Sequence, residues 1–141
     1  MPKLYFYDAG LAAYLLGISS AEQITVHPLR GALFESFIIS ELLKMRFNRG
    51  MASNLYFWRN NTGDEIDVVA ENGDILHPLE IKSGQTVVDD FFSGLKKWRK
   101  FAAGVGDRNI LIYGGSGNQK RSDTDVLSWR SLAEIEGIIT G

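Results

Sequence analysis

The sequence predicts an α/β fold, a mixed β-sheet flanked by helices, and three observations predict it. Apolar residues at helical spacing mark a long helix, Phe34, Phe37, Ile38, Leu42 and Met45. Three strand signals follow it in close succession, separated by spacers rich in turn residues, which is the pattern of an antiparallel meander. A second amphipathic stretch then precedes further apolar strands, so the chain must cross over a sheet face and return beside a strand it has already laid down. The result is an α/β sandwich rather than a barrel.

In chain order, Lys3 to Tyr7 reads as a short strand or extended lead-in, and Asp8 caps a small helix over Leu11 to Leu16 that Gly17 closes. Glu22 to Arg30 reads as a connection. The main helix runs from Gly31 to about Asn48, with Gly50 as its stop. Strands are predicted at Leu55 to Asn60, Glu65 to Glu71 and Ile75 to Lys82, with Asn72-Gly73 turning the last two into a hairpin. Val88, Phe91, Phe92, Leu95, Trp98 and Ala102 mark one face of the second helix. Asn109 to Tyr113 and Thr124 to Trp129 are the later strands, and Gly114 to Ser122 is a glycine-rich polar loop between them.

A chain of 141 residues is of the size of one domain, so residues 1–141 are expected to form a single unit with a sizeable core. The 45% hydrophobic fraction argues against disorder, and the apolar runs are too short to span a bilayer. Without cysteine there are no disulfides and no thiolate zinc sites. No signal-like segment opens the chain, so a cytoplasmic location is expected, with no membrane partner. A net charge of -2 gives no global attraction to nucleic acid, so binding to phosphates must come from a local basic patch or a bound metal.

The chemistry-bearing residues lie on the middle strands. Side chains alternate along a strand, so Glu80 and Lys82 share one face while Leu79 and Ile81 share the other, and Glu65 and Asp67 oppose Ile66 and Val68. If the strands are neighbours, Asp67, Glu80 and Lys82 converge. Two carboxylates suit a hard divalent ion such as Mg²⁺ or Mn²⁺ and leave room for a phosphate oxygen and a water, with Lys82 placed to offset developing charge. Glu35 precedes Ile39 and Leu42 at helical spacing and therefore lies on the inward side, while Ser36, Ser40 and Lys44 define a more polar face. Left unpaired, such an acid costs several kcal/mol. A metal or Lys82 offsets that cost, or an arginine such as Arg30 or Arg59 does.

A helix acid, a strand Asp and a Glu-x-Lys strand in this order resemble the PD-(D/E)xK nuclease superfamily. More narrowly, Leu4-Tyr5-Phe6-Tyr7-Asp8-Ala9-Gly10-Leu11, Gly31-Ala32-Leu33-Phe34-Glu35, Gly63-Asp64-Glu65-Ile66-Asp67-Val68-Val69 and Leu79-Glu80-Ile81-Lys82-Ser83-Gly84 resemble the DUF4143 domain. The resemblance implies a restriction-endonuclease-like core, with Asp67, Glu80, Lys82 and Glu35 as catalytic residues and Asp67, Glu80 and Glu35 as metal ligands. That domain typically forms the C-terminal part of AAA-type ATPases, so the chain is expected to be such a part or a stand-alone version. In the superfamily's Pro-Asp pair the proline is replaced here by Ile66.

Other features are weaker. Gly114-Gly115-Ser116-Gly117-Asn118-Gln119-Lys120 is not a phosphate loop, because Gln119 stands where glycine must precede the lysine. Lys96, Lys97, Arg99 and Lys100 form a solvated helix face or a backbone-binding strip, which Lys120 and Arg121 would extend, while Trp98 falls on the apolar stripe. His27 and His77 read as structural or surface residues, and Ser83 and Gln85 either as contacts to substrate or hydration water or simply as residues of a strand-to-helix turn. The expected function is Mg²⁺-dependent hydrolysis of DNA. The alternatives are a non-catalytic domain of nuclease fold that serves a DNA or protein partner beside an AAA-type ATPase, and nucleic-acid binding without cleavage.

Overall fold

A computed structural model describes residues 3–102, 106 and 108–141. Among these, six strands form one mixed sheet in the order β1-β2-β3-β4-β6-β5. The strands are β1 (Leu55–Arg59), β2 (Glu65–Asn72), β3 (Ile75–Lys82), β4 (Asn109–Tyr113), β5 (Gln119–Arg121) and β6 (Thr124–Ser128). The helices are α1 (Ala9–Leu15), α2 (Ala21–Val26), α3 (Arg30–Phe47), α4 (Ser93–Phe101) and α5 (Glu136–Thr140).

The meander is as predicted: β1 pairs with β2 and β2 with β3, all antiparallel. Gly73 adopts a φ of +59° in the two-residue turn between Asn72 and Ile75, a conformation that carries no steric cost without a Cβ. After the crossover through α4, β4 lies parallel to β3, and β6 parallel to β4. Pro78 is tolerated inside β3 because pairing with β4 begins only at Leu79, so no ladder bond to β4 needs its missing N–H.

Each face of the sheet carries its own core. On one side Ile38, Ile39 and Leu42 of α3 meet Val68, Leu79, Ile81, Ile110 and Ile112. On the other, Leu95 and Trp98 of α4 meet Ile66, Val69, Leu111, Tyr113 and Val126. The Trp98 ring stands edge-on to Trp58 at 5.1 Å, a core residue as its place on the apolar stripe predicted.

The structure corrects several sequence expectations. Of the two readings of residues 3–7, a short strand or an extended lead-in, the strand is ruled out, since no strand forms there. The connection predicted from Glu22 to Arg30 contains α2, because Ser20 caps Gln23 N–H at 3.4 Å while the Gln23 side chain accepts from Ser19 N–H at 2.7 Å. Ser36 and Ser40 are buried rather than on a polar face, and α1 packs against α3. Ser40 satisfies its hydroxyl by donating to the Phe37 carbonyl at 2.8 Å. Val88 precedes the helix and is exposed; a 3-10 turn, Asp89–Phe92, leads into α4. The predicted Gly114 to Ser122 loop contributes β5, a short edge strand paired with β6.

Beyond the last predicted strand, a 3-10 turn at Leu132–Ile135 and α5 complete the α3-side core with Leu132, Ile135, Ile138 and Ile139. No helix among the described residues is long and apolar enough to cross a membrane.

Candidate metal and phosphate site

Glu80 lies in the middle of β3 and is 3% exposed, so its carboxyl meets almost no water. Burial first, then the charge of Asp67 and a hydrogen bond shared with it, push Glu80 up to about 8, with Lys82 pulling the other way. Two acids from neighbouring strands therefore share one site, and the neutral form of Glu80 is favoured there. Lys82 Nζ pairs with Glu80 Oε2 at 3.2 Å. Burial alone would depress the Lys82 ammonium, but Glu80, Asp67 and Glu35 together hold it above its ordinary value.

The strict alternation expected along β2 breaks at Asp67. Ile66 faces the α4-side core, whereas Val68 and Ala70 face the α3-side core. The cause is a bulge in β2: between the pairs Tyr56–Val69 and Trp58–Ile66, β2 carries one residue more than β1, so its side chains change phase there. Asp67 Oδ2 is then fixed by the Ile81 backbone N–H at 2.8 Å, so β3 itself orients this carboxylate.

Glu35 is inward, as its spacing implied, but neither a predicted arginine nor Lys82 holds it. Tyr5 donates its hydroxyl to Glu35 Oε1 at 2.8 Å, and Lys3 Nζ stands 3.3 Å from the same oxygen. Lys3 also reaches Glu65 Oε1 at 3.5 Å and Asp67 Oδ1 at 3.8 Å, over the ring of Phe57 at 4.6 Å. Burial works against this ammonium, but the three carboxylates outweigh it and raise its pKa. Burial and the neighbouring Glu35 likewise push the Tyr5 phenol up. Arg30 instead donates from Nε to Ser83 Oγ at 3.3 Å.

Sequence reasoning thus missed Lys3, Tyr5 and the part played by Glu65. One signal was available: Lys3 and Tyr5 alternate with exposed Leu4, so in an extended segment both turn towards α3. A second omission is Gly94, in the first turn of α4. A methyl group there would overlap Glu80 Oε1 and lie 3.1 Å from the Glu65 carbonyl oxygen, so the helix approaches the carboxyl only because residue 94 has no side chain.

Asp67 and Glu80 offer hard oxygen donors that already share a site, and this pair fits a divalent cation. Glu35 reaches the same region through Lys3. Among the described residues no three acid or histidine side chains are grouped closely enough to form a ready-made metal cage.

The predicted basic strip is only partly assembled. Lys96 and Arg121 line one cavity of about 280 Å³, together with Asp89 and Asp123. Lys97 is paired to Asp64 at 2.7 Å, and Lys120 lies 3.9 Å from Asp125. Arg99 pairs with Asp123, and Lys100 is exposed. On the sheet, Lys120 and Arg121 are separated from β3 by β4 and β6.

Lys3→Ala is expected to lower stability by about 1 kcal/mol, because three carboxylates then face one another with only water and Tyr5 between them. Divalent ions should restore it. The measurement is the thermal midpoint of both proteins with and without Mn²⁺, and the ion-dependent rise should be larger in the variant.

Compared with known proteins, residues 30–132 match the family described as "Domain of unknown function (DUF4143)". Uncharacterized proteins of Mycobacterium tuberculosis and Mycobacterium bovis are each 34% identical over 86 residues, which is 60% of this chain. The matched part spans 18% of the length of these curated relatives.

Proposed function

This chain belongs to the DUF4143 family, and from its own site we propose that it is a metal-dependent nuclease with a restriction-endonuclease-like core, hydrolysing DNA phosphodiester bonds. The observation that carries the reading is the meeting of Asp67 and Glu80 on adjacent strands, with Lys82 against Glu80. Two acids brought together in a buried site, with the Glu80 carboxyl pushed up by burial, are an expensive arrangement in a purely structural role, and perturbed groups of this kind concentrate at functional sites.

Asp67 and Glu80 would hold the Mg²⁺ or Mn²⁺, and binding would release the proton that Glu80 keeps at neutral pH. When bound, the ion supplies positive charge to the phosphate oxygens and acidifies a coordinated water. Lys82 stands beside Glu80 and offers its ammonium to charge that develops on the phosphate as the bond breaks. The Ile81 N–H keeps Asp67 pointed at the site throughout.

Cleavage of single-stranded, duplex and branched DNA with Mg²⁺ or Mn²⁺ tests the reading. Lys82→Ala should slow hydrolysis by about 100-fold or more, the scale of a lost charge-stabilising group. Cleavage that survives in that variant would remove Lys82 from the site.

The Lys3 ion pairs favour a second reading, since a protein cation neutralises Glu35, Glu65 and Asp67 as a structural network would. In it, the domain keeps the nuclease fold without cutting and serves a DNA or protein partner beside an AAA-type ATPase. Calorimetric titration with Mn²⁺ separates the two: no heat at millimolar ion, in wild type and in Lys3→Ala alike, supports this second reading.

A further inference from the structure

An open cavity of about 460 Å³ lies at the carboxyl ends of the parallel strands β3, β4 and β6, where loops of α/β sheets commonly bind ligands. Ser83 enters it directly after Lys82, and Trp129 and Arg130 enter it after β6. Arg30, Phe34 and Phe37 of α3 also line it. The loop after β3 is pinned by Gly114 N–H, which donates to the carbonyls of Lys82 and Gly84, each at 3.0 Å. The cavity and the Glu80-Lys82 strand are therefore held in one frame.

Its chemistry is that of an anion with an aromatic or apolar body. Phe37 stands edge-on to Trp129 at 5.8 Å, and the Arg130 guanidinium lies 5.0 Å from the Trp129 ring centre. Arg30 is held by Ser83 Oγ and by the Thr25 carbonyl at 3.1 Å. Among the described residues neither Arg30 nor Arg130 forms a salt bridge with a carboxylate, in contrast to Lys3, Lys82, Lys97 and Arg99. Two guanidinium groups without acid partners, lining the same cavity as the Phe37 and Trp129 rings, suit a base flanked by phosphates.

We propose that this cavity receives one unstacked nucleotide of a DNA strand, its base against the Phe37 and Trp129 wall and its flanking phosphates on Arg30 and Arg130. The strand then continues past Ser83 to Lys82, a placement that rests on the nuclease reading above. A paired base inside a duplex keeps its faces covered and cannot reach the wall. The domain accordingly selects single-stranded or frayed DNA.

The test is binding of a fluorescein-labelled oligodeoxythymidine, followed by anisotropy in EDTA so that no hydrolysis is needed. The oligonucleotide should bind about tenfold or more tightly than a duplex of equal length. Arg130→Glu, on an exposed side chain whose change leaves the core intact, should weaken binding about tenfold, and Trp129→Leu should do so by a similar factor. Equal binding of duplex, or undiminished binding by Arg130→Glu, would overturn the proposal. Competition by free thymidine monophosphate as effective as the oligonucleotide would overturn its assignment to a strand. If single strands bind through Arg130 and no DNA is ever cut, the cavity stands and the nuclease reading falls. If Lys82-dependent cutting occurs and the cavity variants bind and cut as wild type does, only the cavity falls.

Discussion

Glu80→Gln is expected to make the metal-free protein more stable at alkaline pH while removing the hydrolysis proposed for it. Glu80 titrates at about 8 in the folded chain against 4.5 for an ordinary glutamate, so between these values the native state holds a proton that the unfolded state has released. The contribution of this group is complete below about pH 4.5 and is lost progressively as the pH rises to about 8. Glutamine keeps the neutral, hydrogen-bonded form at every pH and so removes that slope. The gain above about pH 8 should be on the order of 2–4 kcal/mol, less whatever relaxation of the site already provides. Below about pH 5 the two proteins should differ little. Urea unfolding of both at about pH 5 and about pH 9 measures the difference, and a gain that does not grow with pH would contradict the buried, neutral acid. On the proposed nuclease reading the same substitution takes a charged donor from the acid pair, and DNA hydrolysis should then fall by about 100-fold or more. A protein that becomes sturdier as it loses activity is the signature of a site whose chemistry is costly to the fold.

Gly94→Ala carries the second large effect. In a helix, alanine is favoured over glycine by about 1 kcal/mol, and an exposed position would show that gain. Here the added methyl overlaps Glu80 Oε1 and comes within 3.1 Å of the Glu65 carbonyl oxygen. The carboxyl must swing aside or α4 must lift from the sheet, and overpacking of this kind costs about 1–3 kcal/mol. The expected outcome is a net loss of stability of up to about 2 kcal/mol, together with weakened Mn²⁺ binding if the carboxyl is the donor proposed above. In a Glu80→Ala background the methyl has its space, and Gly94→Ala should become close to neutral. A double-mutant cycle by urea unfolding reads this coupling directly, and additive costs would mean that the two residues do not meet.

Much of the site was legible along the chain because its parts lie on elements with short periods. Glu80 and Lys82 fall on one face of a strand that turn residues delimit, and the Asn72-Gly73 turn brings β2 against β3 in one register. Glu35 follows from the apolar spacing of α3 in the same way. The Ser20 to Gln23 cap and the repeat of Leu132, Ile135, Ile138 and Ile139 were also written in the sequence. The cap sits in a segment with few buried residues, and the repeat begins inside a 3-10 turn, so neither gives a full-length helical period.

What the sequence by itself determined is the order of α1, α3 and α4 and of the strands β1 to β4 and β6, the hairpin, and the strands and helix that bear Asp67, Glu80, Lys82 and Glu35. Each of these depends on neighbours a few residues away, where backbone geometry alone relates position to direction. Only the tertiary structure decided that Lys3 stands among Glu35, Glu65 and Asp67, that the phase of β2 changes at Asp67, and that α4 reaches Glu80 through Gly94. These are contacts between segments far apart in the chain, set by sheet register and by the closeness of helix to sheet, and no local periodicity encodes them.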